Sequence, residues 1–158
     1  MFGKGVLMMN TQSIIRKAVQ SDIDRLVELL GSLFSIETDF CGDKIKQRRG
    51  LELMLESPEE RCILVADYQG MVIGMCTVQL LVSTAEGGKA ALLEDLIVQE
   101  EFRGIGIGRK LVMAIEEWAD NHGVKRLELL ADCNNTPALG FYRKLGWWRT
   151  QLICLHKK

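Results

Sequence analysis

Residues 93–110, Leu-Glu-Asp-Leu-Ile-Val-Gln-Glu-Glu-Phe-Arg-Gly-Ile-Gly-Ile-Gly-Arg-Lys, constrain the fold more than any other stretch. An apolar strand enters a glycine-rich turn, and the turn opens a long amphipathic helix. Glycines at 104, 106 and 108 let backbone N–H groups face an anion without interference from a Cβ, and a helix N-terminus adds unpaired donors and the positive end of its dipole. The expected ligand is a phosphorylated cofactor.

Three kinds of phosphate turn have to be separated. A P-loop requires G-x-x-x-x-G-K-[ST], and the chain has no glycine-lysine-hydroxyl run. A dinucleotide turn requires G-x-G-x-x-G; counted from Gly104, its third glycine position holds Arg109. Asp132, at the end of the next strand pattern, could act as the ribose-binding acid, so spacing alone leaves that reading open. The pattern [RQ]-x-x-G-x-[GA] is satisfied by Arg103, Gly106 and Gly108.

That pattern resembles the acetyl-CoA signature of the GNAT superfamily of N-acetyltransferases. A second stretch, Asn134-Asn135-Thr136-Pro137-Ala138-Leu139-Gly140-Phe141-Tyr142-Arg143-Lys144-Leu145-Gly146-Trp147, is similar to the family's later N-x-x-A-x-x-x-Y-x-x-x-G-[FW] motif. The two occur in the family's order, separated by a helix and a strand, and the resemblance is concentrated in residues 93–147.

The remaining elements agree with a single α/β domain. Ser13 to Ala18 suits a first strand, and Ser21 with Asp24 has the form of a capping box for a helix whose apolar face is Ile23, Leu26, Val27, Leu30, Leu33 and Phe34. A second helix over Asp43 to Leu55 stops at Ser57-Pro58. Cys62–Asp67 and Met71–Val82 read as a hairpin turning at Tyr68-Gln69-Gly70, and Ala90–Val98 feeds the glycine turn. Beyond it come a helix with Ile107, Leu111, Ala114, Ile115 and Trp118 on one face, a strand over Arg126–Ala131, a short helix from Thr136-Pro137, and a last strand over Trp147–Leu155. The order β-α-α-β-β-β-α-β-α-β implies a mixed, twisted sheet flanked by helices. It also resembles the GNAT fold.

Composition narrows the function class. A chain of 158 residues with 47% hydrophobic content fits one domain, residues 1–158, in which the first ten residues need not belong to the fold because Met8 and Met9 leave the start open. The net charge of −1 gives no bulk attraction to nucleic acid or anionic membrane. No apolar run reaches the ~18 residues of a transmembrane helix, and no secretory segment is evident, so a cytoplasmic location is the default. Cys41, Cys62, Cys76, Cys133 and Cys154 form no C-x-x-C pair and read as free thiols, with no metal site. His122 precedes Gly123 at a helix C-terminus, where it caps rather than catalyses.

The resemblance assigns the site. Backbone groups of Leu96, Ile97 and Val98 would pair with the pantetheine arm of acetyl-CoA. Gly104, Ile105, Gly106, Ile107, Gly108 and Arg109 would hold its pyrophosphate, and Asn135 would hydrogen-bond it near the second motif. Arg103, Arg109 and Arg143 are candidates for phosphate charge, although each also suits a solvated surface. Acetyl transfer needs a neutral amine, a polarised thioester and a stabilised thiolate. Glu94, nine residues before Arg103, matches the spacing of the catalytic glutamate in spermidine/spermine N-acetyltransferases and is the expected general base, with Asp95 second. Because adjacent strand side chains alternate, the two carboxylates are expected on opposite faces. Tyr142 falls at the motif's tyrosine and is the expected general acid.

Glu37 and Asp39, between the first two helices, could attract a cationic small-molecule amine, with Asp43 more simply a helix cap; both acids could also be ordinary loop carboxylates. A peptide or protein amine stays open as acceptor, and the family's habits leave a homodimer open. Two readings compete with an enzyme of this kind. One is a non-catalytic acetyl-CoA or CoA sensor. The other is a nucleotide-dependent oxidoreductase, which is weakened by Arg109 and by the elements placed before the glycine turn.

Overall fold

A computed structural model describes residues 13–36 and 42–157. Five strands, β1 (Ile14–Lys17), β2 (Arg61–Tyr68), β3 (Met71–Ser83), β4 (Gly88–Val98) and β5 (Val124–Leu129), form one sheet in sequence order. The pairs from β1 to β4 are antiparallel, and β4 pairs with β5 in parallel. The helices are α1 (Ile23–Phe34), α2 (Lys44–Leu55), α3 (Ile107–Asn121) and α4 (Thr136–Lys144). Parallel neighbours require a crossover, and α3 supplies it between β4 and β5.

Two apolar layers sandwich the sheet. On one face, Ile23, Leu26, Val27 and Leu30 of α1 and Leu51 of α2 pack against Ile63, Val65, Met75 and Ile97. On the other, Ile107, Leu111, Ile115 and Trp118 of α3 cover Leu64, Ala66, Cys76, Val78, Ala91 and Leu93. Each Leu or Ile so buried contributes about 1.5–3 kcal/mol of transfer free energy, which is why these stripes fix which face each helix takes. Burial also pushes the Cys76 thiol well above its ordinary pKa, in keeping with a buried, free thiol.

The β2–β3 hairpin turns at Gln69 (φ 53°) and Gly70 (φ 84°), the paired positive φ values that match strand twist in a tight turn. Asp67 accepts the Gly70 N–H at 2.7 Å. At the end of α3, His122 stacks on Trp118 with centroids 4.1 Å apart, and Gly123 takes a left-handed φ of 69°. That is the capping role expected of the pair.

Three expectations need correction. The cap before α1 is not built from Ser21 and Asp24. Asp22, in a 3-10 turn over Gln20–Asp22, accepts the Val19 N–H at 2.8 Å, while Asp24 pairs with Arg48 of α2. Arg16 explains the preference, since it grips both oxygens of Asp22 at 2.8 and 3.0 Å and reaches Asp67 at 2.9 Å. The Arg16 hydrogen bonds hold the Asp22 carboxyl below its usual pKa, outweighing the opposing effect of burial. Second, β5 covers Val124–Leu129, two residues earlier at each end than Arg126–Ala131. Third, Trp147–Leu155 is not a strand. After Gly146 (φ 90°) the segment carries Trp148, Leu152, Ile153 and Leu155 at 84, 87, 80 and 83% exposure, so the last β of the expected order is missing from the sheet. Residues 1–10, Glu37, Asp39 and Cys41 lie outside the described residues. No helix among the described residues is long and apolar enough to cross a membrane.

Candidate active site

The sheet splits at its centre. Pairing of β4 with β5 runs from Lys89↔Val124 to Leu93↔Leu129 and stops, whereas pairing of β4 with β3 continues to Gly74↔Val98. Among the described residues, 94–98 therefore have β3 on one side and no strand on the other. Leu96, Ile97 and Val98 lie on this open edge, as expected, and an open edge can accept an extended ligand as a further strand. Their side chains anchor it: Ile97 packs in the α1 layer, Leu96 and Val98 against the α3 layer.

A bulge opens the split. The register jumps from Met75↔Ile97 to Thr77↔Glu94, giving β4 an extra residue, and Asp95 sits there at φ 52°, a left-handed conformation costly for any side chain but glycine. The Thr77 hydroxyl, 3% exposed, donates to Asp95 Oδ2 at 3.1 Å. One residue earlier, Gln79 Nε2 donates to Glu94 Oε2 at 3.3 Å. Thr77 and Gln79 are two apart on β3 and share a face, so both carboxylates turn to the same side of the sheet. This corrects the expectation of opposite faces: the bulge suspends the period-two alternation where the acidic pair lies. The shared face is the one carrying α1 and α2, and Glu94 is exposed on it.

Beyond Val98 the chain makes a 3-10 turn over Glu100–Phe102 and reaches Gly104 (φ 76°) and Gly106 (φ 92°). Gly106 is the N-cap of α3 and no side chain caps the helix there. The first-turn N–H groups, at Ile107, Gly108 and Arg109, have no intrahelical acceptor by the geometry of a helix start, and Ile105 just before them is exposed. Such a turn suits an anion. Arg103 Nε donates to the Val98 carbonyl at 2.8 Å, tying the turn to the end of β4.

A Cβ on Gly108 would lie 3.4 Å from Phe141 Cζ, within ordinary contact, so Phe141 of α4 lies against the first turn of α3. Phe141 meets Tyr142 edge-on at 5.2 Å, and Tyr142, half-buried, meets Trp147 at 6.1 Å. Asn135 caps α4, its side-chain oxygen accepting the Ala138 N–H at 3.2 Å. Asp132 accepts the Asn134 N–H at 2.8 Å, engaging it in a turn and taking one oxygen from the ribose role. Arg109 and Arg143 are exposed, the latter in the last turn of α4, where it complements the dipole. Asp43 caps α2 by accepting from Ile45 and Lys46, and the Lys46 hydrogen bond leads the effects that lower its pKa.

Sequence reasoning missed Gly74, Thr77 and Gln79. A Cβ on Gly74 would come within 3.0 Å of the Ile97 carbonyl oxygen, 3.3 Å of Val98 Cγ2 and 3.4 Å of Leu111 Cδ1. A lone glycine in an apolar strand signals such close approach. Nothing in the residue types marks Thr77 or Gln79, because their partners are set by the bulge.

Comparison with known proteins agrees with this geometry. Residues 23–147 match the acetyltransferase (GNAT) family. An uncharacterized N-acetyltransferase of Chlorobaculum tepidum is 34% identical over 112 residues, covering 71% of this chain and 64% of that protein, so the chain spans less than two thirds of this relative's length. A thialysine N-epsilon-acetyltransferase of Bos taurus is 28% identical, covering 84% of this chain and 82% of its own. Among solved structures, the aminoglycoside N-acetyltransferase AAC(6')-Iy in complex with CoA superposes with a TM-score of 0.82 over 97% of this chain and 99% of that one, at 18% identity, a likeness of fold. The split sheet, the glycine turn and the match over residues 23–147 together establish that this chain belongs to the GNAT acetyltransferase family.

Proposed function

We propose that the chain is an acetyl-CoA-dependent N-acetyltransferase that moves the acetyl group to a primary amine of a small molecule by direct attack in a ternary complex. The observation that carries this reading is the open edge of β4 over residues 94–98, which runs directly into the uncapped start of α3. The edge offers backbone groups to an extended pantetheine arm, and the turn at 104–109 offers N–H groups to a pyrophosphate. Acetyl-CoA, when bound, supplies the activated acyl group.

The protein's own residues then have three tasks. The split holds amine and thioester together, and alignment alone recovers much of the barrier to a bimolecular step. Glu94, its carboxylate steadied by Gln79, takes a proton from the acceptor ammonium through water so that the amine can attack. Tyr142 donates its phenolic proton to the departing thiolate. Asp95, on the same face, adds negative charge that favours a cationic acceptor, and Glu37 and Asp39 would extend that field. The names of the bovine and aminoglycoside relatives, both acetyltransferases of amine compounds, support this substrate class.

The test is release of free CoA thiol from acetyl-CoA across polyamines, aminoglycosides, lysine analogues and short peptides, alongside calorimetric binding of acetyl-CoA and NADH. Release dependent on a small amine supports the proposal, and release with peptides alone moves the acceptor to a protein amine. Acetyl-CoA binding without release from any acceptor supports a sensor, and binding of NADH in its place refutes the reading.

A further inference from the structure

In the acetyl-transfer reading the open edge of β4 and the glycine turn hold two parts of one ligand, so the angle between them matters. Gln99 sits at that angle. Pairing of β4 with β3 ends at Gly74↔Val98, and Gln99 is both the next residue and the N-cap of the 3-10 turn that leads to Gly104. Its N–H donates to the Ile73 carbonyl at 2.8 Å. Ile73 is the extra residue of a second bulge, where the β2–β3 register jumps from Ala66↔Gly74 to Asp67↔Val72. Among the described residues, the backbone bonds that follow are local, from the Phe102 N–H to Gln99 and from the Arg103 N–H to Glu100. Such bonds shape the turn but do not aim it relative to the rest of the sheet.

Side chains from distant elements do so. On the α3 face, Phe102 rests on Tyr68 of β2 with ring centroids 5.6 Å apart. From α1 comes Arg25, whose Nη2 donates to Gln99 Oε1 at 2.5 Å and whose Nε donates to the Val72 carbonyl in the bulge at 2.9 Å. Its Nη1 pairs with Glu28, a turn further along α1, at 2.7 Å, which steadies the guanidinium plane. The Gln99 amide carries the contact onward: the Glu101 carboxyl is held below its ordinary pKa first by its own backbone N–H and then by the Gln99 side chain. A guanidinium suits this place because its donors are fixed in one plane and serve a backbone carbonyl and a side-chain amide together. An ammonium offers one nitrogen.

We infer that Arg25 is a positioning residue for the cofactor. By bridging the β3 bulge and Gln99 it fixes the glycine turn relative to the open edge of β4, so that one acetyl-CoA molecule meets both. Arg25 acts through Gln99 and takes no part in the chemistry. The inference rests on the acetyl-transfer reading for its ligand. Loss of Arg25 then penalises a donor that spans edge and turn, because that site is no longer preorganised, and spares a donor that uses the edge alone.

The test compares the unaltered chain with Arg25→Met, Arg25→Lys and Gln99→Ala. It reads hydrogen exchange without ligand, the calorimetric Kd for acetyl-CoA, and KM and kcat with acetyl-CoA and with S-acetylpantetheine, which lacks the pyrophosphate and nucleotide. In all three variants the amides of 99–106 should exchange faster while those of the β2–β3 pairing stay unchanged. Kd and KM for acetyl-CoA should rise about tenfold, the size of one lost hydrogen bond to a charged group, with kcat retained. With acetylpantetheine, kcat/KM should stay at the wild-type value. R25M/Q99A should be no worse than Arg25→Met, since both changes break the same contact. Equal exchange at 99–106, or an unchanged Kd in Arg25→Met, overturns the inference. So does full rescue by lysine, which would reduce the effect to charge, or an equal loss with acetylpantetheine, which would reduce it to general loss of structure. If Arg25→Met fails to fold, Gln99→Ala carries the same comparisons without altering α1. Failure of the acetyl-transfer reading shows separately, as absence of acetyl-CoA binding by the unaltered chain, and the exchange comparison then still decides whether Arg25 fixes the turn.

Discussion

Gly74→Ala should harm the chain even though alanine is the better residue for ordering a backbone. Replacing glycine at a compatible φ gains about 0.4–1 kcal/mol by restricting the unfolded chain. Against this, the new Cβ would lie 3.0 Å from the Ile97 carbonyl oxygen, tighter than most real Cβ contacts, and at 3.3 and 3.4 Å from Val98 and Leu111. The nearest atom is backbone in the centre of the sheet, so relief requires β4 to move, and overpacking of this kind costs about 1–3 kcal/mol. At the middle of the two ranges the cost exceeds the gain by about 1.3 kcal/mol, within limits of about 0–2.6 kcal/mol. For a domain of this size the middle value lowers Tm by about 3–5 °C at ~2–4 °C per kcal/mol. Because the displaced atoms belong to the open edge, the KM for acetyl-CoA should rise more than kcat falls. Thermal unfolding by circular dichroism and initial rates against acetyl-CoA measure both, and a variant with unchanged Tm and unchanged KM would refute the close-packing argument.

Tyr142→Phe should lower kcat while leaving acetyl-CoA affinity nearly intact, as it removes a proton donor and little volume; equal turnover with a good acceptor would remove the acid role. Glu94→Gln should shift the pH–rate profile toward alkaline pH, where the amine arrives neutral, and an unmoved profile would transfer the base to Asp95. At the bulge, Asp95→Gly keeps a left-handed φ accessible and Asp95→Ala does not, so alanine should be about 1 kcal/mol less stable in denaturant titration; equal stabilities would mean that the backbone conformation is unstrained. Asp22 titrates lower when folded than when unfolded. Its contribution is thus complete above an unfolded pKa of about 3.9 and is lost as pH falls through the lower folded value. Asp22→Asn should flatten the acid limb of stability against pH, and an unchanged limb would assign acid unfolding to other carboxylates.

Much of the design can be read along the chain because it is local. Gly104 and Gly106 adopt the left-handed φ values that the turn reading requires, and Thr136-Pro137 starts α4 as the missing proline N–H predicts. The apolar stripe from Ile23 to Leu30 names the buried face of α1, since a 3.6-residue period leaves no other face to bury. These outcomes depend on residue type and spacing within a turn or two. So did the motif order that led to the family.

Tertiary structure decided the rest wherever the outcome depends on a partner distant in sequence. The Ser21–Asp24 capping pattern was locally sound, yet Arg16, itself paired with Asp67, drew Asp22 into the cap instead. Period-two alternation would separate Glu94 from Asp95, but the bulge against Met75 and Thr77 brings both to one face. Arg103 and Asn135 also have partners that no motif names, the Val98 carbonyl and the Ala138 amide. Residues 147–155 have strand composition without strand structure. A strand exists only through hydrogen bonds to another strand, so composition can show that a segment is fit to pair but not which edge it finds.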